Sequence, residues 1–357
     1  MERSNLELAA ALLTGLLTAC GRGAVQASAA PWSIDLLVPR RVVDPEQLFH
    51  EDPLCRFDEV GGLLLVPDAD ATWPWPEAPG GVLHVRTNNL GFLELEATRP
   101  EKEGLRILAV GDSHLVIVDA ADSFPNVLEA KLRAAGHAGC EVINAGVGYT
   151  GPPWYLKRVE KYLELEPDVV LVAIFAGNDF WDTVLTRYDV GASPTPPLGE
   201  AYWERLRRCR EQFPGALSQG LNQAHWFKHW PGSADLALRE VLASMEAIQA
   251  LCRAHDLPLW TVIIPTKSDV DIEDEPELRQ RSLDLLELSE EEAAANLRLS
   301  ERLAAALVER GIPCLDPTQA MRADPTRFYW RQDHHLAVNG HRFLAERLFE
   351  TMEPSLP

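Results

Sequence analysis

Leu105-Arg106-Ile107-Leu108-Ala109-Val110-Gly111-Asp112-Ser113-His114 is the stretch on which the reading of the chain turns. Leu105 to Val110 is a short apolar run that stops at a glycine, the pattern of a parallel strand buried on both faces. Phe124, Val127, Leu128 and Leu132 follow at helical spacing, and Gly136 marks the stop. Strand followed by helix is the opening of a βαβ unit. A serine just past such a strand stands at the carboxyl edge of the sheet, where open α/β folds bind ligands. Gly111 lets the chain turn there. The Ser113 hydroxyl then reads in two ways, as a plain helix cap or as a nucleophile whose own amide faces a substrate oxygen.

Downstream the pattern repeats. Glu141 to Asn144 reads as a second strand, and Trp154 to Leu165 as a helix halted before Pro167. Val169 to Phe175 is a third strand, Leu236 to Ala254 a helix with one apolar side, and Leu259 to Ile264 a fourth strand. Ser289 to Arg310 reads as one helix, opened by a capping box of Ser289 and Glu292 and closed by Gly311. Ile312 to Leu315 is a fifth strand and Gly340 to Met352 the last helix. Alternation of this kind predicts a three-layer α/β/α sandwich around a parallel five-stranded sheet.

Residues 180 to 235 interrupt the alternation. They hold Trp181, Trp203, Trp226 and Trp230, and they exceed an ordinary strand-to-helix connection. Two readings stand side by side: a ligand-binding cover over the carboxyl edge of the sheet, or a helical excursion with a Trp-lined core of its own.

Upstream, residues 21 to 104 are rich in Pro, Gly and Trp, with short strands expected at 63–66 and 81–85. Leu8 to Ala19 is an apolar run of twelve, too short to span a bilayer and of the length of a signal-peptide core. It ends in Leu17-Thr18-Ala19-Cys20, which resembles a bacterial lipobox. On that reading the protein is exported and attached to a membrane through a lipidated Cys20. Arg3 is offset by Glu2 and Glu7, so a plain N-terminal helix is the ordinary alternative, and the protein is then cytoplasmic. The chain therefore divides into 1–20, a β-rich segment 21–104, and a domain 105–357 carrying an insertion at about 180–235.

Composition excludes some functions. The 357 residues include 54 acidic against 33 basic ones, a net charge of −21, and a polyanion such as nucleic acid is repelled by that field. The six cysteines form no CxxC pair, which argues against structural zinc, and Cys140 and Cys314 read as small core residues beside strands.

Three further short segments stand where the chemistry would. Asn144-Ala145-Gly146 ends the second strand, and Gly146 offers a backbone N–H to an oxyanion or simply makes a tight turn. Gly177-Asn178-Asp179 follows the third strand, where the Asn178 amide reaches the same crevice or forms an Asx turn. Asp333-His334-His335 precedes the last helix. A carboxylate two residues before an imidazole can fix its tautomer and stabilise its protonated form. A metal reading of Asp333, His334, His335 and His341 lacks any further ligand at metal spacing.

Taken in order, Gly111-Asp112-Ser113, Asn144-Ala145-Gly146, Gly177-Asn178-Asp179 and Asp333-His334-His335 with Gly340 five residues on resemble the SGNH (GDSL-like) hydrolase family, over roughly residues 105 to 350. Asp122-Ser123-Phe124-Pro125 is similar to that family's first helix. Arg86-Thr87-Asn88-Asn89-Leu90-Gly91-Phe92 resembles a stretch that precedes the catalytic domain in exported members. The resemblance implies a flavodoxin-like strand order, no cofactor and no metal. It implies Ser113 as nucleophile, His335 rather than His334 as base, and Asp333 as the group that orients it. Ser113 N–H, Gly146 N–H and the Asn178 side chain form the implied oxyanion hole. The implied substrate is an acyl ester of a carbohydrate, a lipid or another small molecule. An O-acyltransferase using the same residues and a non-catalytic binding domain are the rival expectations. Two departures stand out. His114 occupies a place where many members have leucine. The acid and base are two residues apart rather than three, a spacing familiar from members that handle acyl groups on polysaccharides.

Overall fold

The computed structural model describes residues 54–189, 198–212, 219–271, 276–331 and 333–356; the signal-like segment 1–20 with Cys20 lies outside them. Four short strands come first: β1 (Cys55–Asp58) pairs antiparallel with β2 (Gly62–Leu65), and β3 (Asp70–Pro74) with β4 (Val82–Arg86). The main sheet holds β5 (Arg106–Gly111), β6 (Glu141–Gly146), β7 (Val169–Phe175), β8 (Leu259–Ile264) and β9 (Cys314–Leu315). All pairs in it are parallel and the order is β6-β5-β7-β8-β9, the flavodoxin-like order expected.

Nine helices of interest cover the sheet: α1 (Phe124–Ala134), α2 (Pro152–Tyr162), α3 (Asp179–Asp189), α4 (Glu200–Gln212), α5 (Gln219–His229), α6 (Ser233–Ala254), α7 (Pro276–Leu286), α8 (Ala295–Glu309) and α9 (Val338–Met352). Strand side chains alternate between two cores, as the period of two demands. Ile107, Ala109, Leu171, Ala173 and Val262 pack with Phe124, Leu128 and Leu132 of α1 and Leu344 and Leu348 of α9. Leu108, Val110, Val170, Val172 and Ile263 pack on the other face with Tyr155 and Val159 of α2, Val241 and Met245 of α6 and Leu303 of α8. Both faces are thus buried, which is why these strands are unbroken apolar runs.

Some boundaries differ from expectation for local reasons. The helix expected from Ser289 breaks at Ala294 into a short turn, Glu290–Ala293, and α8, although the Ser289–Glu292 capping box forms. The fifth strand shrinks to Cys314–Leu315, because Pro313 has no N–H to give the ladder; its carbonyl still accepts from Thr261 N–H at 2.9 Å. Among the described residues Cys55, Cys140, Cys209, Cys252 and Cys314 form no disulfide, and burial pushes the Cys140 thiol up to about 12. No described helix is long and apolar enough to cross a membrane.

The N-terminal segment is tied into the main domain. Asn88 folds residues 88–98 into a compact knot. Its Oδ1 accepts from Leu90 N–H and Phe92 N–H, and its Nδ2 donates to Glu96 O and Thr98 Oγ1. The knot lies along β6: Leu93 N–H donates to Asn144 O at 3.2 Å, and Asn144 N–H donates to Glu94 Oε1 at 2.5 Å. Arg86–Phe92, singled out in the sequence, is therefore a cap on an outer strand of the sheet.

The 180–235 insertion forms α3, α4 and α5. Trp181 and Trp226 meet edge to face at 6.0 Å and are buried with Val184, Tyr202 and Leu206. The tryptophans at 181 and 226 thus join the core on one face of the main sheet, with Leu108, Val110 and Val172, and form no separate core of the insertion's own. Gln223 of α5 ties this core to the carboxyl edge of the sheet: its Nε2 donates to Ala176 O at 2.7 Å, and its Oε1 accepts from Trp181 N–H at 3.1 Å.

Candidate active site

Ser113 opens a single 3-10 turn at the end of β5. The preceding Asp112 caps this turn, its Oδ1 accepting from His114 N–H at 2.9 Å. Some 222 residues further on, His335 reaches the same point. His335 Nε2 lies 2.9 Å from Ser113 Oγ. His335 Nδ1 lies 2.5 Å from Asp333 Oδ1, and that carboxylate oxygen also accepts the His335 backbone N–H at 2.8 Å. With its Nδ1–H given to Asp333, the ring keeps a lone pair on Nε2 for the serine hydroxyl.

The loop that presents His335 is anchored on several sides. Trp330 N–H donates to His335 O, and Tyr329 bridges to Leu336. Lys267 Nζ donates to Trp330 O at 2.8 Å and Arg331 O at 2.5 Å. The connection between β3 and β4 leans on the loop from outside: Trp75 meets Trp330 edge to face at 6.2 Å, and Glu77 Oε2 accepts from Arg331 N–H at 2.6 Å. The His-x4-Gly spacing acquires a steric reason. A Cβ on Gly340 would sit 2.4 Å from Phe328 O, the carbonyl that accepts Ala337 N–H and closes the loop.

The other histidines fall into different roles. His334 is buried with no hydrogen-bond partner for its Nε2, and burial pushes its pKa down to about 3. His341 caps α1, its Nδ1 accepting from Phe124 N–H at 3.2 Å, and burial pushes it to about 3 as well. Asp333, His334 and His335 do bring ligand atoms within 4.8 Å of one another. Asp333 and His335 are joined to each other, however, and His341 is committed to the helix, so the four-residue metal set of the sequence is not assembled. His114 is buried against the Phe175 ring, centroids 3.7 Å apart, and lies 4.9 Å from the His335 ring. Burial holds it well below the ordinary histidine range.

The expected oxyanion donors need one revision. Gly146 is the last residue of β6, opposite Gly111, and its N–H donates to Asn144 Oδ1 at 3.1 Å. A Cβ there would lie 2.3 Å from Leu115 Cβ, so packing alone requires glycine at this position. Gly148, two residues on, is the glycine beside Ser113: a Cβ on it would be 3.7 Å from Ser113 Cβ. Sequence held both glycines in Asn144-Ala145-Gly146-Val147-Gly148, and only the length of β6 separates their roles. Asn178 follows β7 at the start of α3. It is buried, its Nδ2 donates to Asp182 Oδ2 at 2.8 Å, and its Oδ1 has no hydrogen-bond partner. Burial raises the Asp182 carboxyl well above the usual range, which favours its protonated form.

Beneath these loops lie groups that the sequence reading passed over. Arg158 and Tyr155 of α2 are both fully buried. The available signal was an arginine inside an apolar helical stripe, Tyr155, Arg158, Val159 and Tyr162.

Fold and geometry together define a class: an α/β/α sandwich with a Ser–His–Asp hydrogen-bonded relay at the carboxyl edge of its sheet. No family model matches the chain, and no curated protein matches it. Solved structures similar to it include a GDSL-like lipase from Bacteroides thetaiotaomicron VPI-5482 (12% identity, 73% of this chain and 93% of that one, TM-score 0.41). A lipase/acylhydrolase from Enterococcus faecalis is similar at 17% identity over 71% and 97% of the two chains, TM-score 0.37. A catalytic mutant of an acetylxylan esterase from Geobacillus stearothermophilus is similar at 16% identity over 70% and 95%, TM-score 0.39.

Proposed function

We propose that this chain is a serine ester hydrolase of the SGNH type, acting on an acyl ester of a carbohydrate or lipid. The observation that carries the reading is the unbroken path from Ser113 Oγ through His335 to Asp333, at 2.9 and 2.5 Å. His335 takes the hydroxyl proton as Ser113 attacks the ester carbonyl. Asp333 holds the ring and stabilises the imidazolium that forms. The proton then passes to the departing alcohol, and water attacks the acyl-serine with His335 again as base.

The tetrahedral oxyanion is held by the backbone N–H groups of Ser113 and Gly148 and by the Asn178 side chain. For Asn178 this calls for a half-turn of its amide, which puts Nδ2 toward the pocket and Oδ1 against a protonated, donating Asp182. Each such donor contributes about 3 kcal/mol of barrier lowering, roughly a hundred- to a thousandfold in rate.

A fluorophosphonate probe tests the reading directly. It is expected to label Ser113, and nitrophenyl esters of graded acyl length are expected to turn over, set beside acetylated polysaccharides. Ser113→Ala that keeps its fold and the wild-type rate refutes it. Residues 1–20 act, on this reading, as an export signal with lipid on Cys20. Cys20→Ala is then expected to abolish incorporation of labelled palmitate, and undiminished labelling counts against it.

A further inference from the structure

We propose that Arg158 and Tyr155 are positioning residues that hold the three loops of the oxyanion site in register. The proposal rests on Ser113 being the nucleophile. α2 leaves the Gly148 loop at Gly151 and returns beneath it with Tyr155 and Arg158 three residues apart, on one side of the helix. Arg158 Nη2 donates to Gly111 O at 2.8 Å and to Thr150 Oγ1 at 3.0 Å. Thr150 Oγ1 donates to Val147 O at 2.6 Å, and Val147 N–H donates to Gly111 O at 3.1 Å. These bonds close a ring. It takes in the carbonyl just before Asp112 and Ser113, and residues 147 and 150 on either side of Gly148 and Tyr149.

Tyr155 extends the tie to the third loop. Its hydroxyl reaches Thr150 O at 3.2 Å and the Asp179 carboxylate at 2.8 and 2.9 Å, next in sequence to Asn178. Asp179 Oδ2 in turn accepts from Phe175 N–H at the end of β7. Tyr149, inside the ring, sits at φ +60°, a left-handed conformation that a tyrosine keeps only where its surroundings impose it.

The side-chain chemistry argues the same way. Arg158 is fully buried, and its Nε and Nη1 have no hydrogen-bond partner. As a stabiliser it is a poor choice, since an apolar side chain fills such a space without the desolvation cost. A guanidinium does offer rigid, directional donors that reach two loops at once. That property matters for a site whose donors must meet an oxyanion to within a fraction of an ångström.

The test compares Arg158→Met, Arg158→Lys, Thr150→Val and Tyr155→Phe with the wild type on a nitrophenyl ester and on a fluorophosphonate, with thermal melting of each. Arg158→Met is expected to lower kcat on the order of a hundredfold with KM within about twofold, the signature of misplaced transition-state donors. Thr150→Val and Tyr155→Phe are expected to lower it about tenfold, and the labelling rate of Ser113 falls in parallel. Arg158→Lys recovers part of the loss, because an ammonium keeps the charge and its donors but not the planar Nη2 that aims one hydrogen at each loop. The double variant Thr150→Val, Arg158→Met is expected to be no slower than Arg158→Met alone, since both break one ring.

Folded Thr150→Val and Tyr155→Phe proteins with wild-type kcat and labelling overturn the proposal. Multiplicative losses in the double variant overturn it too. If Arg158→Met fails to fold, the two hydroxyl deletions decide. Ser113→Ala separates the two readings: turnover persisting in it removes the nucleophile, whereas a dead Ser113→Ala beside a fully active Thr150→Val removes only the positioning role.

Discussion

The two halves of the relay are held by opposite means. Ser113 and the Gly148 loop are gripped from inside, by Arg158 and Tyr155, where no water competes and each hydrogen bond acts at low dielectric. The loop of His335 is strapped from outside, by Lys267 and by Trp75 and Glu77 of the β3–β4 connection, in places that solvent reaches. Surface contacts of that kind are individually weak. On the proposed function, the nucleophile's loops are held wholly from inside, while the base's loop, whose Tyr329 and Leu336 are buried as well, carries an added strap on the solvent side.

The comparison breaks most visibly at the relay itself. Ser113→Ala and His335→Ala are each expected to lower kcat at least about a thousandfold, and the pair together no further, because they act as a unit. His334→Ala, which removes a ring that does not meet Ser113, is expected to stay within about tenfold of wild type. Steady-state kinetics on one ester ranks them, and the reverse order of the two histidines would move the base. Next in size is Asn178→Ala, expected to lose a hundred- to a thousandfold in kcat for a lost oxyanion donor, about 3 kcal/mol. No change in kcat would take Asn178 out of the hole.

The exterior strap gives the smaller kinetic effect. Trp75→Ala with Glu77→Ala is expected to lower kcat about tenfold while Ser113 still reacts with fluorophosphonate. Losses as deep as those expected of Arg158→Met would erase the contrast between the two sides.

A last effect concerns stability and leaves catalysis aside. His341 has a folded pKa of about 3 against 6.5 unfolded, so its contribution is whole above pH 6.5 and is lost as pH falls toward 3. His341→Asn keeps an acceptor for Phe124 N–H and cannot titrate. It is expected to remove a slope of about 1.4 kcal/mol per pH unit in that window, read from urea midpoints. An unchanged slope would mean that another group carries the acid sensitivity.

What the sequence made legible follows from the same physics. Strands buried on both faces are unbroken apolar runs, so β5, β7 and β8 could be read to within a residue, whereas β6 runs two residues past the expected end at Asn144. Ser113 and Asn178 stand out because polar residues at strand ends have nowhere to go but the carboxyl edge, and Asp333 and His335 by their two-residue spacing just before the last helix. Gly146 and Gly148 could not be told apart, since one glycine serves Leu115 packing and the other faces the serine, and both look alike in a string. Arg158 was hidden for a related reason: its role lies in which acceptors surround it, the Gly111 carbonyl and the Thr150 hydroxyl. The strap on the His335 loop joins positions more than 250 apart, a pairing that no local pattern encodes.

The knot at Asn88 has a consequence beyond the site. β6 is an outermost strand, and Leu93 and Glu94 already occupy the backbone of Asn144. A chain started at residue 105 would free the backbone N–H and C=O of Asn144 on that edge, while Val142 N–H stays bonded to Glu129 Oε2. The leading segment thus shields the one donor and one acceptor that this edge would otherwise offer to a strand of another copy.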